Sequence, residues 1–222
     1  MRRLAEYATR NRGRVLEIGF GLGISASEIM SLGCDEYVVI EAHPEVAERA
    51  RQWGRAQATP VSVVEDFWQN ALDRVGRFDG ILFDTYPVNN SPSSNNYFGF
   101  LPEAHRLLRP GGGVTYFSGD TRKIPAEHIA LVFEHFNEVE FSVVENLRPP
   151  KTCRYWRHDH MVAPYLRSPR HAPPKQSLMT SPTEVAVRWR GGVWPPKVRG
   201  DAHPPMRCGT AREILLRAND WG

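Results

Sequence analysis

Arg14-Val-Leu-Glu-Ile-Gly-Phe-Gly-Leu-Gly23 is the stretch that decides the fold of this 222-residue chain. Its first half, Arg14–Ile18, is short and largely apolar, as in a buried strand, and three alternating glycines follow directly. Residues 25–31 then have the spacing of a helix. A strand that enters a helix through a glycine-rich turn predicts a nucleotide-binding unit, because glycine lets the backbone approach a ligand closely.

The chain up to about residue 165 continues this alternation. Further strands are predicted at residues 37–41, 61–65, 78–84, 113–118 and 138–144, and further helices at residues 44–55, 97–108 and 126–136. Near-continuous apolar strands separated by helices predict an α/β fold with a doubly wound, mostly parallel sheet covered on both faces. Ligands of such sheets bind at the carboxyl ends of the strands.

Composition argues against several classes of protein. The chain has net charge +3 and 41% hydrophobic residues, and we find no apolar run long enough to span a bilayer. Polar residues stand where a signal peptide would be apolar, so we expect a cytoplasmic protein with no membrane contact. Three cysteines, Cys34, Cys153 and Cys208, lie far apart and predict neither a structural zinc site nor a disulfide framework, and we expect no metal.

The basic charge is concentrated near the C-terminus. Residues 165–222 hold ten Lys or Arg against four Asp or Glu, together with eight of the 18 prolines. Clustered basic residues attract phosphate, but a solvated appendage explains the same composition, and we favour it over a nucleic-acid partner. We therefore predict a domain boundary at residue 166, between an α/β domain over residues 1–166 and a weakly ordered, basic, Pro-rich extension over 167–222. Within the extension, residues 183–189 are predicted as a strand and 211–218 as a helix.

Two acids beside the glycine turn help to distinguish between classes of cofactor. Glu41 ends the second strand, where a carboxylate can accept hydrogen bonds from both ribose hydroxyls of an adenosine. NAD enzymes and S-adenosylmethionine enzymes share this arrangement, but the turn here is Gly-x-Gly-x-Gly, with Ile24 where a dinucleotide fingerprint has glycine. Glu17 would repel a pyrophosphate and attract an ammonium or sulfonium group. The pattern favours a methyl donor, with capping of backbone amides as the alternative role for Glu17.

Residues 78–87, Phe-Asp-Gly-Ile-Leu-Phe-Asp-Thr-Tyr-Pro, closely resemble the core signature of the guanidinoacetate N-methyltransferase family. Residues 13–21, 39–41, 106–112 and 153–164 resemble other motifs of that family, in order. The resemblance spans about residues 1–165. It implies that residues 1–166 are the S-adenosylmethionine-dependent methyltransferase domain, with a Rossmann-like, seven-stranded class I methyltransferase sheet whose last strand is antiparallel, and S-adenosyl-L-methionine as the cofactor.

The resemblance also implies the cofactor site. The loop after the first strand and the end of the second strand would hold the methionyl and ribose parts, and Trp68 and Gln69 would lie against the adenine. Asp66 stands where many methyltransferases place an acid on the adenine amine, although the aligned residue of this family is not acidic. The complete predicted cofactor set is Glu17, Gly19, Phe20, Gly21, Leu22, Gly23, Ile24, Ser25, Glu41, Ala42, His43, Asp66, Trp68, Gln69 and Asp84.

For the acceptor, the resemblance implies that Asp84 is the catalytic residue and grips a guanidinium, while Gly119 and Asp120 meet the other end of the substrate. Capping of a loop is the alternative role for Asp84. Asp120 departs from the family, since an acid there would repel a substrate carboxylate, and this departure argues against guanidinoacetate itself. The family's lid, which supplies a second substrate-binding carboxylate, would align before Met1.

The sequence therefore predicts an S-adenosylmethionine-dependent N-methyltransferase that acts on a guanidino nitrogen of a small guanidinoacetate- or arginine-like metabolite. Two alternatives stay open. Fungal protein arginine N-methyltransferases share the domain signature, although a basic extension suits a basic target poorly. A non-catalytic S-adenosylmethionine-binding module without the lid is the other. The sequence does not indicate an oligomeric state.

Overall fold

The computed structural model describes residues 1–85, 97–121, 124–153, 156–170 and 186–190. The helices are α1 (Arg2–Ala8), α2 (Ile24–Leu32), α3 (Pro44–Gly54), α4 (Trp68–Val75), α5 (Tyr97–Leu107) and α6 (Ala126–His135). The strands are β1 (Arg14–Ile18), β2 (Glu36–Glu41), β3 (Val61–Glu65), β4 (Phe78–Phe83), β5 (Leu108–Tyr116), β6 (Phe136–Val144), β7 (Met161–Pro169) and β8 (Ala186–Arg190).

The strands form one sheet in the order β3-β2-β1-β4-β5-β7-β6-β8. Neighbours from β3 through β5 are parallel, whereas β7 is antiparallel to both β5 and β6. The predicted doubly wound, mostly parallel sheet with an antiparallel closing strand is confirmed. The chain crosses from β3 over to β4, so the carboxyl ends of β1 and β4 flank the point where the strand order reverses.

The predicted extension adds an eighth strand to the seven expected. β8 runs parallel to β6, with Val139 opposite Val187, and so covers a sheet edge that would otherwise present unpaired backbone groups. β7 continues to Pro169, past the domain boundary predicted at residue 166. The predicted helix over residues 211–218 lies outside the described residues.

Two short helices, α1 and α4, were not predicted, although the apolar residues of α4 have amphipathic helical spacing. In α1, Leu4, Ala5, Tyr7 and Ala8 are buried against the sheet. This approach requires glycine at position 80, since a Cβ there would lie 1.7 Å from the Ala8 carbonyl oxygen. In α4, Ala71, Leu72 and Val75 are buried on the opposite face.

Strand alternation divides the core into two layers. In β1, Leu16 and Ile18 join the cluster under α4, α5 and α6, whereas Val15 joins the cluster under α1, α2 and α3. Alternation places Glu17 on the same face as Val15, among apolar neighbours. Within the described ranges, no helix combines the length and hydropathy needed to cross a bilayer.

Candidate functional site

The glycine turn connects β1 to α2 at the reversal point of the sheet. Gly19 has φ +91° and donates its N–H to the Ile40 carbonyl at 2.8 Å, while Gly23 has φ +71° and precedes the first turn of α2. A Cβ at Gly19 would lie 2.4 Å from the Asp84 carbonyl oxygen. The turn therefore fits between the ends of β2 and β4 because it carries no side chain at this position.

Glu41 holds the glycine turn from the end of β2. One carboxylate oxygen accepts the N–H groups of Phe20 at 2.9 Å and Gly21 at 3.4 Å, and the other accepts the His43 N–H at 2.9 Å. A carboxylate has about four lone-pair sites, so one remains for a ligand hydroxyl. The predicted ribose acid and the predicted loop are thus brought together, with Ala42 and His43 exposed beside them.

Glu17 lies beneath the turn, fully buried. Its two oxygens accept hydrogen bonds from the hydroxyls of Ser25 in α2 and Tyr37 in β2. Burial, with smaller contributions from the charges of Asp84 and Glu41, raises the pKa of Glu17 to about 8, although the hydrogen bonds from Ser25 and Tyr37 lower it. Glu17 therefore neither caps backbone amides nor is exposed to a ligand. Its two hydrogen bonds link α2 to β2 beneath the loop.

Glu17→Gln should remove most of the pH dependence of folding stability between about pH 4.5 and 8. The folded protein keeps the Glu17 proton up to about pH 8, whereas an unfolded carboxyl loses it near pH 4.3, so the free energy of unfolding falls as pH rises through this window. The loss from this group is roughly 3–5 kcal/mol. Urea unfolding from pH 4.5 to 8.5 measures it.

Glu36→Gln is the matched control, because Glu36 lies on the same strand as Tyr37 and pairs with Arg14 instead. It should keep the wild-type slope. An unchanged slope in Glu17→Gln would contradict the assignment of a buried, protonated Glu17.

Asp84 follows β4 and faces the same edge of the sheet. Its backbone N–H donates to the Ile18 carbonyl at 2.9 Å, which joins it to the end of β1. Within the part of the chain that the structure describes, its carboxylate accepts no hydrogen bond and makes no ion pair with Lys or Arg. Burial raises the pKa of Asp84. A loop-capping role would need such a bond, so the described residues give the capping alternative no support.

Glu17, Glu41 and Asp84 bring three acids to the ends of three strands. They lie close enough for Asp84 and Glu41 to raise the pKa of Glu17. Among residues with described side chains, no Lys or Arg pairs with any of the three. Glu17 is buried and keeps its proton up to about pH 8, so Asp84 and Glu41 are the two acids of this group that are available to a cationic ligand.

The residues predicted near the adenine follow β3. Asp66 accepts hydrogen bonds from Asn70, Arg74 and the Phe67 backbone, and these contacts lower its pKa. Asp66 thus lies just before α4, and its backbone N–H donates to the Glu41 carbonyl at 3.1 Å.

Trp68 packs edge-on against Phe83 and Phe100, at 6.0 and 5.6 Å between ring centroids. It is therefore partly a core residue, while Gln69 is exposed.

An apolar rim surrounds this edge of the sheet. Leu22 and Ile24 of the turn are 80% and 56% exposed, and Phe67 is 50% exposed. Phe67 was not among the predicted site residues. No periodic signal marks it, because it lies in the short connection between β3 and α4. Exposed apolar side chains of this size at the strand ends are typical of a binding surface.

The acceptor-side residues lie between β5 and α6. Gly119 has φ +73° and open space around it. The Asp120 carboxylate accepts a hydrogen bond from His128 Nδ1 at 2.6 Å, and His128 Nε2 is 2.5 Å from the Tyr116 hydroxyl. The Asp120 carboxylate is thus hydrogen-bonded to a buried histidine. The spacing of residues in the sequence could not indicate this contact. Tyr86 and Pro87 of the signature lie outside the described residues.

Residues 1–168 match the guanidinoacetate N-methyltransferase family. The chain belongs to this family. The recognition made from the motifs is confirmed, as is the class of enzyme, because this is a family of S-adenosylmethionine-dependent methyltransferases.

Curated relatives are similar over about half of the chain. A protein arginine N-methyltransferase 2 of Yarrowia lipolytica is 32% identical over 109 residues, which are 47% of this chain and 22% of that protein. A protein arginine N-methyltransferase 2 of Aspergillus oryzae is 34% identical over 111 residues, 48% of this chain and 26% of that protein. The match thus spans about a quarter of the length of these relatives.

Solved methyltransferases share the fold. A precorrin-6y methyltransferase from Geobacter metallireducens has a TM-score of 0.52 at 15% identity, covering 75% of this chain and 87% of that one. The 23S rRNA methyltransferase ErmE has a TM-score of 0.51 at 18% identity, covering 79% of this chain and 69% of that one. These likenesses confirm the predicted class I methyltransferase architecture.

Proposed function

We propose that this protein transfers a methyl group from S-adenosyl-L-methionine to a guanidino nitrogen of a small metabolite that resembles guanidinoacetate or arginine. One observation carries the proposal: Asp84, at the reversal point of the sheet, has a partly buried carboxylate that accepts no hydrogen bond and makes no ion pair with Lys or Arg among the described residues. Burial raises its pKa, and the N-terminal ammonium lowers it by a smaller amount. Two further acids, Glu17 and Glu41, lie nearby. A carboxylate in this setting has a strong preference for a cation.

The described residues fit the cofactor. The turn is open at Gly21, where a Cβ would meet no atom within 4 Å, and Glu41 keeps a lone-pair site for a ribose hydroxyl. The apolar rim of Leu22, Ile24 and Phe67 suits a purine ring. When bound, S-adenosylmethionine supplies a methyl group on a positively charged sulfur.

Asp84 would carry the chemistry on the acceptor. A guanidinium is planar, always protonated near neutral pH and a poor nucleophile, because its lone pairs are delocalised. The Asp84 carboxylate can bind two N–H groups of this plane, hold one nitrogen in line with the methyl group, and accept its proton as the nitrogen becomes tetrahedral. Such positioning contributes up to about 7–11 kcal/mol to catalysis.

An arginine side chain in a protein is the second candidate acceptor. The similarity to fungal enzymes named protein arginine N-methyltransferase 2 favours it, since the reacting group is the same guanidinium. The basic charge of residues 165–222 opposes a basic target. An arginine-containing peptide assayed beside free arginine separates the two candidates, because a protein enzyme should prefer the peptide.

Glu41→Gln should weaken binding of S-adenosylhomocysteine, the demethylated cofactor, by about 1.5–3 kcal/mol. The amide cannot accept as strongly from a ribose hydroxyl, and it also loosens the two backbone contacts that hold the turn. Isothermal titration calorimetry measures the affinity.

Glu65→Gln is the control, because Glu65 ends the adjacent strand directly opposite Glu41 but pairs with Arg51. It should bind the cofactor as tightly as wild type. Binding of NADH with no binding of S-adenosylhomocysteine would overturn the cofactor assignment.

A further inference from the structure

β3 is an edge strand of the sheet, and its outer side has no partner among the described residues. It pairs with β2 alone, whereas β6, near the other end of the sheet, is covered by β8. The Tyr37 N–H donates to the Pro60 carbonyl at 3.0 Å, and the Asp66 N–H donates to the Glu41 carbonyl at 3.1 Å. Even-numbered residues from 60 to 66 therefore bond to β2, because backbone groups alternate in direction along a strand. The residues whose N–H and C=O groups point outward are Val61, Val63 and Glu65.

The sequence of β3 lacks the features that keep edge strands from pairing. Residues 61–65, Val-Ser-Val-Val-Glu, include no Pro, Gly or Lys, and all five pair with β2 in unbroken register. Val61 and Val63 are only half-buried, against the core layer under α3. Natural proteins protect their edges with bulges, prolines or charges, so a regular and largely apolar edge is suited to receive another strand.

A groove of about 370 Å³ lies between β3 and the C-terminal half of α3. The residues that line it are Arg51, Gly54, Arg55, Val61 and Val63. Gly54 lies against Val61, since a Cβ at position 54 would be 2.7 Å from a methyl carbon of that valine. Arg55, the next residue, therefore lies at the Val61 end of the groove, whereas Arg51 binds Glu65 at the other end.

The two arginines of the groove differ in how well they are paired. Arg51 contacts Glu65 at 2.6 Å and Glu48 at 3.4 Å. The Arg55 side chain is 70% exposed, and within the described ranges it makes one ion pair, with Glu48 at 3.9 Å. Arg51 contacts the same Glu48 more closely. The Val61 end of the groove therefore has a cation that is available to a carboxylate from another molecule.

Two copies of β3 are complementary when they pair antiparallel about a two-fold axis at Val63. Opposite residues whose backbone groups both point outward then exchange two hydrogen bonds. Val63 lies opposite its own copy, and Val61 lies opposite Glu65 of the second copy. This register brings Glu65 of the second copy to the end of the groove where Arg55 lies, and the symmetry repeats the contact. The charges of the two copies are therefore complementary.

We propose that β3 is a dimer interface, at which a second copy of this chain adds its own β3 and joins the two sheets into one. Strand addition supplies affinity through main-chain hydrogen bonds, and so short a strand predicts a dissociation constant in the micromolar range. An acidic peptide of another protein is the other occupant that the arginines would admit. Glu48 and Glu65 beside the groove favour instead a partner that also carries cations, as a second copy does. The dimer is independent of the proposed function, because β2 and β1 separate β3 from β4.

Sedimentation velocity of the full chain over a wide range of micromolar concentrations tests for this dimer. Wild type should show a reversible equilibrium between monomer and dimer. Val63→Pro removes the central outward N–H but no hydrogen bond to β2, and proline is tolerated on the free side of an edge strand. It should raise the dissociation constant of the dimer at least about tenfold, the scale of two lost hydrogen bonds. Thermal unfolding should show that its monomer is folded.

A charge swap tests the register without a change to the backbone. Arg55→Glu and Glu65→Lys should each weaken the dimer about tenfold, because each places like charges against each other at both symmetric contacts. An equimolar mixture of the two variants should dimerise about as tightly as wild type, since both contacts of the mixed dimer again join opposite charges. Arg2→Glu is the matched control, because Arg2 is similarly exposed, at 68%, but lies on α1. It should dimerise as wild type does.

A wild-type chain that stays monomeric at every concentration overturns the proposal. A dimer that neither Val63→Pro nor the charge variants weaken uses another surface and overturns it too, as does a failure of the two charge variants to recover affinity on mixing. A monomer that binds a glutamate-rich peptide, with an affinity that Arg55→Glu abolishes, identifies the other occupant and contradicts the dimer.

Discussion

Asp84→Asn is expected to lower methyl transfer to a guanidine acceptor by about 10³-fold or more. The amide keeps the shape of the side chain but presents an N–H₂ group to a guanidinium, which has only donors to offer. It also cannot accept the proton that the reacting nitrogen must lose, a role worth about 10²–10⁴-fold in rate. Single-turnover transfer followed by mass spectrometry measures the loss.

The fold and cofactor binding should survive this change, because the Asp84 carboxylate makes no hydrogen bond within the described ranges. Calorimetry with S-adenosylhomocysteine should find an affinity within about tenfold of wild type, since its sulfur is uncharged and loses no attraction when the charge of Asp84 is removed. Asp73→Asn is the control: Asp73 is exposed on α4 and pairs with Arg106, and its loss should leave turnover intact. Undiminished transfer by Asp84→Asn would refute the role given to this residue.

Gly19→Ala is expected to abolish cofactor binding and to cost roughly 2–5 kcal/mol of folding stability. Two effects add: an alanine at φ +91° is strained by about 1–2 kcal/mol, and its methyl would meet the Asp84 carbonyl, which is backbone and cannot rotate away. Overpacking of this kind costs about 1–3 kcal/mol. The ends of β1 and β4 must separate, so the glycine turn and Asp84 move apart and no longer form one site.

Gly33→Ala separates these two effects, because Gly33 also has φ +91° but has open space around it. It should lose only the conformational part of the stability and bind S-adenosylhomocysteine normally. Thermal unfolding and calorimetry on both variants make the comparison. Equal losses of stability and of affinity in the two variants would show that the close approach of Gly19 and Asp84 contributes to neither quantity.

The sheet was readable from sequence because its strands are short apolar runs bounded by helices. Residues 14–18 and 61–65 were predicted with the bounds observed. Two helices and one strand start were missed: α1 has only seven residues, the amphipathic spacing of α4 was not recognised, and β5 begins five residues earlier than expected because its first residues, Leu108 to Gly112, include a proline and two glycines.

The motifs predicted which residues lie at one edge of the sheet, but not the hydrogen-bond partners of these residues. Glu41 and the glycine turn meet as expected, whereas Glu17 is bonded to Tyr37 and Asp66 to Arg74. The bond between Asp120 and His128 depends on how α6 docks against β5, which no local pattern encodes.

Methyl transfer to a panel of acceptors tests whether this protein methylates guanidino nitrogens. Wild-type protein is incubated with S-adenosylmethionine and, separately, with guanidinoacetate, free arginine, agmatine, an arginine-containing peptide and simple primary amines, and products are located by tandem mass spectrometry. We expect a methyl group on a guanidino nitrogen and no product from the amines. Methylation of a simple amine in preference to every guanidine, or no transfer by protein that binds the cofactor, would contradict this expectation.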